Sequence, residues 1–231
     1  MVETIAFDSD DTLWQNETLF QDAQANLSLI LSAWETSEKT KQVLSNTEMR
    51  NLPIYGFGIT AFILSMIETA LQVSNGEIRS GKLQEILDLG RSMLEAGVLL
   101  LPNVDATLQT LSKSHRLMII TKGDLLDQTH KVSRSGLGDY FSLVEVVNQK
   151  TPQAYQEILE KYHLDIDTFL MVGNSLRSDI APVLALGGKA VHIPAETTWE
   201  LELLADFDLT QDGYYEIQNI GELPALVNKI T

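Results

Sequence analysis

The chain is 231 residues long and 44% hydrophobic, with 32 acidic against 16 basic side chains and a formal net charge of −16. That length and apolar content suit one large domain, or a core with a smaller inserted unit, while the negative field repels a phosphate backbone and argues against nucleic acid as a partner. There is no cysteine, which excludes a disulfide framework and any thiolate metal site.

Residues 2–7, "VETIAF", are short, apolar and partly β-branched, and a polar cluster ends them, so they read as a buried strand. That cluster, "DSDDT" at 8–12, sets Asp8, Asp10 and Asp11 at the end of the strand. Like charges there repel one another, so folding alone gives no reason to select them, and a positive partner is expected nearby. From Glu17 to Trp34, from Ile59 to Val73 and from Lys82 to Leu94 apolar residues recur at helical spacing, with "NLPIYGFG" (51–58) read as a loop between two of these helices.

After Pro102 helix alternates with strand. A helix at 103–114 precedes the strand "RLMII" (116–120), and a helix from Asp124 stops at "SGLG" (135–138). The strand "SLVEVV" (142–147) follows, then a helix with Thr151 as N-cap and Pro152 in first place. "TFLMVG" (168–173), a helix to Leu186, "KAVHI" (189–193), "YYEI" (214–217) and a helix near 221–229 complete the chain. This alternation predicts an α/β fold: a Rossmann-like parallel sheet with helices on both faces, formed by 1–15 and 98–231, interrupted by an all-helical insert at 16–97. Ligands of such sheets gather just past the carboxyl ends of strands.

The N-terminus lacks the basic start and apolar run of a secretory signal, so a cytoplasmic location is expected. The most apolar window, "ITAFILSMIETALQV" (59–73), falls short of the ~20 residues of a membrane span. The histidines, at 115, 130, 163 and 192, show no ligand spacing and read as surface or structural residues.

Residues suited to phosphate or metal chemistry follow four of the strands: Asp8 and Asp10, Thr121, Lys150, and "GNSLRSD" (173–179). Taken singly, each has an ordinary explanation as a turn, a cap or a surface lysine. In this order they resemble the haloacid dehalogenase superfamily, whose pattern is Asp-x-Asp-x-Thr, a strand ending in Ser or Thr, a Lys, and an acidic motif after a further strand. The resemblance implies a hydrolase with Asp8 as nucleophile and Asp10 as general acid and base. It also implies Mg²⁺, a hard ion that takes oxygen ligands, held by Asp8, the backbone carbonyl of Asp10 and Asp179. Thr121 and Lys150 would hold the phosphoryl oxygens. Asp11, at the variable position of the motif, reads as a turn residue.

Two departures from the pattern stand out. Asn174 occupies a position where many relatives carry an acid, and offers a carbonyl oxygen, at the metal or just behind it, but no charge. Lys122 stands where many have Asn, an extra cation that either contacts substrate or points away. The helical insert resembles a cap domain that selects substrates, with Trp14 and the 51–58 stretch as candidate lining and core packing an equal or better reading for Trp14 and Tyr55. The expected partner is a small phosphorylated metabolite, with no nucleic acid and no membrane, acted on by a monomer or homodimer. The alternatives are a dehalogenase-like hydrolase of the same fold, or a catalytically weak member serving as a binding or regulatory protein.

Overall fold

The computed structural model describes residues 1–197, 199, 202–204 and 206–230. In chain order the strands are β1 (Thr4–Phe7), β2 (Arg116–Lys122), β3 (Leu143–Val147), β4 (Phe169–Gly173), β5 (Lys189–His192) and β6 (Tyr214–Glu216). The helices are α1 (Glu17–Ile30), α2 (Ser37–Tyr55), α3 (Ile59–Val73), α4 (Ser80–Glu95), α5 (Val104–Leu111), α6 (Leu125–Ser135), α7 (Pro152–Tyr162), α8 (Ala181–Leu184) and α9 (Leu223–Ile230). Two compact units result, an α/β unit of Met1–Glu17, Val98–Lys122 and His130–Thr231, and a helical unit of Thr18–Gly97 with Gly123–Thr129.

The α/β unit is built on a sheet of order β3-β2-β1-β4-β5-β6, in which every pairing is parallel. Period-two alternation explains its two cores. Ile5, Phe7, Leu117, Ile119, Leu170 and Val172 share one face with residues of α5 and α9. Ala6, Met118, Ile120 and Met171 share the other with Tyr155, Ile158 and Leu159 of α7. β1 lies between β2 and β4, where the strand order reverses, and the crevice at such a switch point is where ligands of this architecture bind.

The helical unit has its own core, in which Leu27, Leu31, Leu44, Phe62, Met66 and Ile86 are buried together. Phe20 meets Phe62 edge-on at 5.0 Å. The loop expected at 51–58 is shorter than predicted, because α2 runs through Pro53 to Tyr55. Pro53 sits in the last turn, where its missing N–H removes one bond at the helix end rather than in the interior, and the Gly56 N–H closes on the Leu52 carbonyl. Only Gly56–Gly58 remain as connection, both glycines having positive φ (73° and 112°). Tyr55 is half exposed rather than core-packed.

Gly123–Thr129, expected within the sheet-bearing core, group with the helical unit. Gly58 is close enough to explain this, since a Cβ there would stand 3.1 Å from the Asp124 backbone nitrogen. The predicted N-cap of α7 is present, with Thr151 Oγ1 accepting from the Ala154 N–H at 3.2 Å. β2 is longer than its apolar run, so Thr121 and Lys122 still pair with Val146 and Val147. The single helix expected up to Leu186 is instead a π-helical turn, Leu176–Ile180, followed by α8.

Candidate active site

Asp8 directly follows β1 and extends its ladder by one bond, from its N–H to the Val172 carbonyl at 2.8 Å. The chain then turns sharply, with the Thr12 and Leu13 N–H groups donating to the Ser9 carbonyl. Asp11 adopts φ 61°, a left-handed conformation that Asp tolerates better than most residues. Its carboxylate accepts from the N–H groups of Asn16 (2.8 Å) and Glu17 (3.0 Å) and so secures the entry to α1. This is a turn role, as read for it from sequence.

Lys150, three residues past β3, sends a side chain only 1% exposed between two carboxylates. Its ammonium donates to Asp8 Oδ1, and to Asp179 Oδ1 at 2.6 Å. Asp179 lies on the π-helical turn after β4, and its other oxygen accepts from the Ser175 N–H at 3.0 Å. Gly173 makes room for this carboxylate, since a Cβ there would stand 2.3 Å from Asp179 Oδ2. The Thr12 hydroxyl is 3.3 Å from Asp8 Oδ2 and 3.2 Å from Asn174 Oδ1. Ser9 Oγ donates to Thr121 Oγ1 at 2.7 Å, bringing the end of β2 against the same turn.

The charges in this cluster do not balance: two buried carboxylates share one ammonium. Burial, reinforced by Asp179, pushes the Asp8 carboxyl up to about 7 despite the opposing pull of Lys150. Burial alone would lower the Lys150 ammonium, but Asp179 and Asp8 raise it above its ordinary value. Lys150 is therefore charged and Asp8 is short of positive charge. Among the described residues no group of three Asp, Glu, His or Cys side chains could hold a metal. What is available is an all-oxygen set of Asp8 and Asp179 with neutral oxygens such as Asn174 Oδ1, which fits a hard divalent ion and is closed to a thiophilic one.

Asp10 faces a different set of partners. Trp14 Nε1 donates to its Oδ1 at 2.7 Å, and Lys131 Nζ lies 3.1 Å from each of its oxygens and 2.8 Å from Asn16 Oδ1. Trp14 is 1% exposed within the sheet core, the core-packing alternative of the two readings its position allowed, and its N–H donates to Asp10. Lys131 escaped the sequence reading because a lysine on an amphipathic helix carries no signal of its own.

Lys122 is likewise engaged within the protein. Its ammonium pairs with Glu202 and donates to Ser178 Oγ at 2.8 Å. Glu202 also accepts from the hydroxyls of Ser175 and Ser178. Burial alone would raise its carboxyl, yet Lys122 and the two serines hold it below the usual carboxylate range. No motif pointed to Glu202. His192, read as surface or structural, is structural: Nε2 is 3.1 Å from the Asn174 carbonyl and Nδ1 3.3 Å from Glu216.

Residues 2–187 match the family model described as "Hydrolase: haloacid dehalogenase-like hydrolase". The chain belongs to this family. This haloacid dehalogenase-like hydrolase is 24% identical to the mouse N-acylneuraminate-9-phosphatase over an alignment covering 99% of the chain and 95% of that protein. A stretch amounting to 33% of the chain is 34% identical to the glyceraldehyde 3-phosphate phosphatase of Pyrococcus abyssi, of which it covers 34%. Among solved structures, a haloacid dehalogenase-like family hydrolase from Xanthomonas campestris superposes with a TM-score of 0.88 at 35% identity, over 99% of this chain and 91% of that one. A 2-haloacid dehalogenase from Pseudomonas syringae pv. Tomato superposes with a TM-score of 0.67 at 25% identity, with full coverage of both chains.

Proposed function

We propose that this hydrolase is a Mg²⁺-dependent phosphatase that cleaves a small phosphomonoester through an aspartyl-phosphate on Asp8. The observation that carries the reading is a second acid, Asp10, on the same turn as Asp8 but with separate partners: Lys150 for Asp8, Trp14 and Lys131 for Asp10. Two carboxylates in different surroundings can divide the nucleophile and acid–base roles between them. The phosphatases among its relatives support the same choice, whereas family dehalogenases typically lack the second acid.

In this reading an Asp8 oxygen attacks phosphorus as the ester P–O bond breaks, and Asp10 gives its proton to the departing oxygen. Asp10 then takes a proton from the water that attacks the acyl phosphate, and Asp8 leaves as a carboxylate with release of inorganic phosphate. To act, Asp10 exchanges its Trp14 and Lys131 partners for the leaving oxygen. Lys150 and Thr121 hold the phosphoryl oxygens, and Ser9 orients the Thr121 hydroxyl. Asp8, Asp179 and the Asp10 carbonyl would hold Mg²⁺, with Asn174 beside them. Bound there, the ion supplies the missing positive charge and polarises the phosphoryl group. The helical unit is read as the cap that selects the leaving group and excludes water during turnover.

A panel of phosphorylated sugars, nucleosides and carboxylic acids, assayed for phosphate release with and without Mg²⁺, tests the assignment, with 2-chloropropionate included for dehalogenation. Mg²⁺-dependent release that disappears in Asp8→Asn is the expected result. Chloride release with no phosphatase activity would establish the dehalogenase instead, and turnover by a clean Asp8→Asn preparation would remove Asp8 as nucleophile.

A further inference from the structure

The connection between β5 and β6, residues 193–213, lies beyond the residues 2–187 that match the family model. Its described residues contain no strand and no α-helix. From it Glu202 reaches inward, with a side chain 15% exposed. Its carboxylate meets the Lys122 ammonium at the end of β2 and the hydroxyls of Ser175 and Ser178. Alongside, Arg177 Nη2 donates to the Leu203 carbonyl at 3.2 Å.

Apart from Lys122, these ties converge on one short turn. Within it the Ser175 N–H donates to Asp179 Oδ2 (3.0 Å), the Ser178 N–H to Ser175 Oγ (3.0 Å) and the Asp179 N–H to the Ser175 carbonyl (2.9 Å). The turn is π-helical, a geometry that is rare and, where it occurs, frequent at functional sites. We propose that Glu202 is a positioning residue, whose carboxylate clamps the Ser175–Asp179 turn to the end of β2 and so sets Asp179 and Thr121 in register with Asp8. Hydrogen bonds to an ionised, largely buried acceptor are the strong ones, which suits a clamp better than an exposed pair would. Lys122 acts on the site through the turn it braces.

The clamp is independent of the chemistry performed, and only its effect on turnover rests on the phosphatase reading. Amide hydrogen exchange on the metal-free protein tests it directly, in wild type, Glu202→Ala and Glu202→Gln. Exchange at Ser175, Ser178 and Asp179 should rise by roughly tenfold or more in Glu202→Ala, with α3 amides unchanged, and by less in Glu202→Gln, which keeps an acceptor oxygen for the serines. In phosphate release, kcat should fall about tenfold while KM stays within about threefold, because the clamp acts through the turn it holds, and Gln should restore part of the loss. Unchanged protection in a folded Glu202→Ala protein overturns the clamp, and a raised KM at unaltered kcat overturns the positioning role. Should Glu202→Ala fail to fold, Ser178→Ala removes one tie without changing charge, and no rise in exchange at Ser175 and Asp179 there equally overturns the clamp. A wild type inactive on every ester would remove the phosphatase reading and leave the exchange result to decide the clamp.

Discussion

Lys150→Met removes the charge at the centre of the site while keeping most of the side-chain volume. Lys150 and Asp179 side chains are each 1% exposed and that of Asp8 is 10% exposed, so the variant leaves two desolvated carboxylates with no ammonium between them. Removing one partner of a buried ion pair typically costs roughly 3–5 kcal/mol. Protonation of one carboxylate near neutral pH relieves part of this, so about 3 kcal/mol is expected in metal-free protein. For a chain of this size each kcal/mol corresponds to roughly 2–4 °C, which places the fall in melting temperature at about 6–12 °C. Thermal melts in EDTA and in Mg²⁺, followed by circular dichroism, measure it. Saturating Mg²⁺, at about 100 times its Kd, adds about 2.7 kcal/mol to wild type and should raise the variant by at least as much, since both carboxylates then lack another cation. A fall below about 2 °C in EDTA, with unchanged secondary structure, would refute the claim that Lys150 is the compensating charge.

Asp8, raised to about 7 from an ordinary 3.8, binds its proton more tightly folded than unfolded. Its contribution is therefore present below about pH 4 and lost as pH rises through about 7. Metal-free wild type should accordingly lose stability relative to Asp8→Asn across that window, and parallel melting-temperature curves would contradict the assignment. Asp10→Asn should slow hydrolysis of an alkyl phosphate by roughly 10²–10⁴-fold and that of p-nitrophenyl phosphate far less, because a nitrophenolate departs without a proton. Equal losses on both substrates would count against Asp10 as the acid. Gly173→Ala forces a Cβ to within 2.3 Å of Asp179 Oδ2 and 2.6 Å of Asp179 Cβ. It should cost about 1–3 kcal/mol and weaken Mg²⁺ binding in calorimetry, and wild-type melting together with wild-type Mg²⁺ affinity would show that the Asp179 fit is looser than the structure indicates.

The parts of the site legible in the sequence are those whose signal is local. "DSDDT" after an apolar run, Thr121 at the end of another and "GNSLRSD" after a third mark strand ends by composition alone, and Thr151-Pro152 marks the start of α7. Residues recruited from distant segments gave no such mark. Lys131 meets Asp10 across 121 positions, and Glu202 meets Lys122 across 80. Neither belongs to a local pattern, so nothing distinguishes them from other surface charges until the chain is folded. The open choice over Trp14 and the misplaced loop at residues 51–55 have the same origin. An aromatic ring just past an acidic strand end can face core or solvent, and a Pro near a Gly can end a helix or sit in its last turn; neighbouring packing settles both.

By itself the sequence determined the alternation of strands and helices, the family, and which carboxylates stand at a strand end, because each depends on periodicity or on short motifs. Only the tertiary structure decided how those residues combine. Placing β1 between β2 and β4 brings Asp8, Thr121 and Asp179 to one end of the sheet, and Lys150, 142 positions from Asp8 and 29 from Asp179, enters between the two acids. It also decided the fate of the cations: Lys150 serves the Asp8–Asp179 pair, Lys131 holds Asp10, and Lys122 is bound to Glu202. The physical reason is that a lysine's effect depends on the desolvated charge it meets, and that encounter is fixed by the packing of segments far apart in the chain.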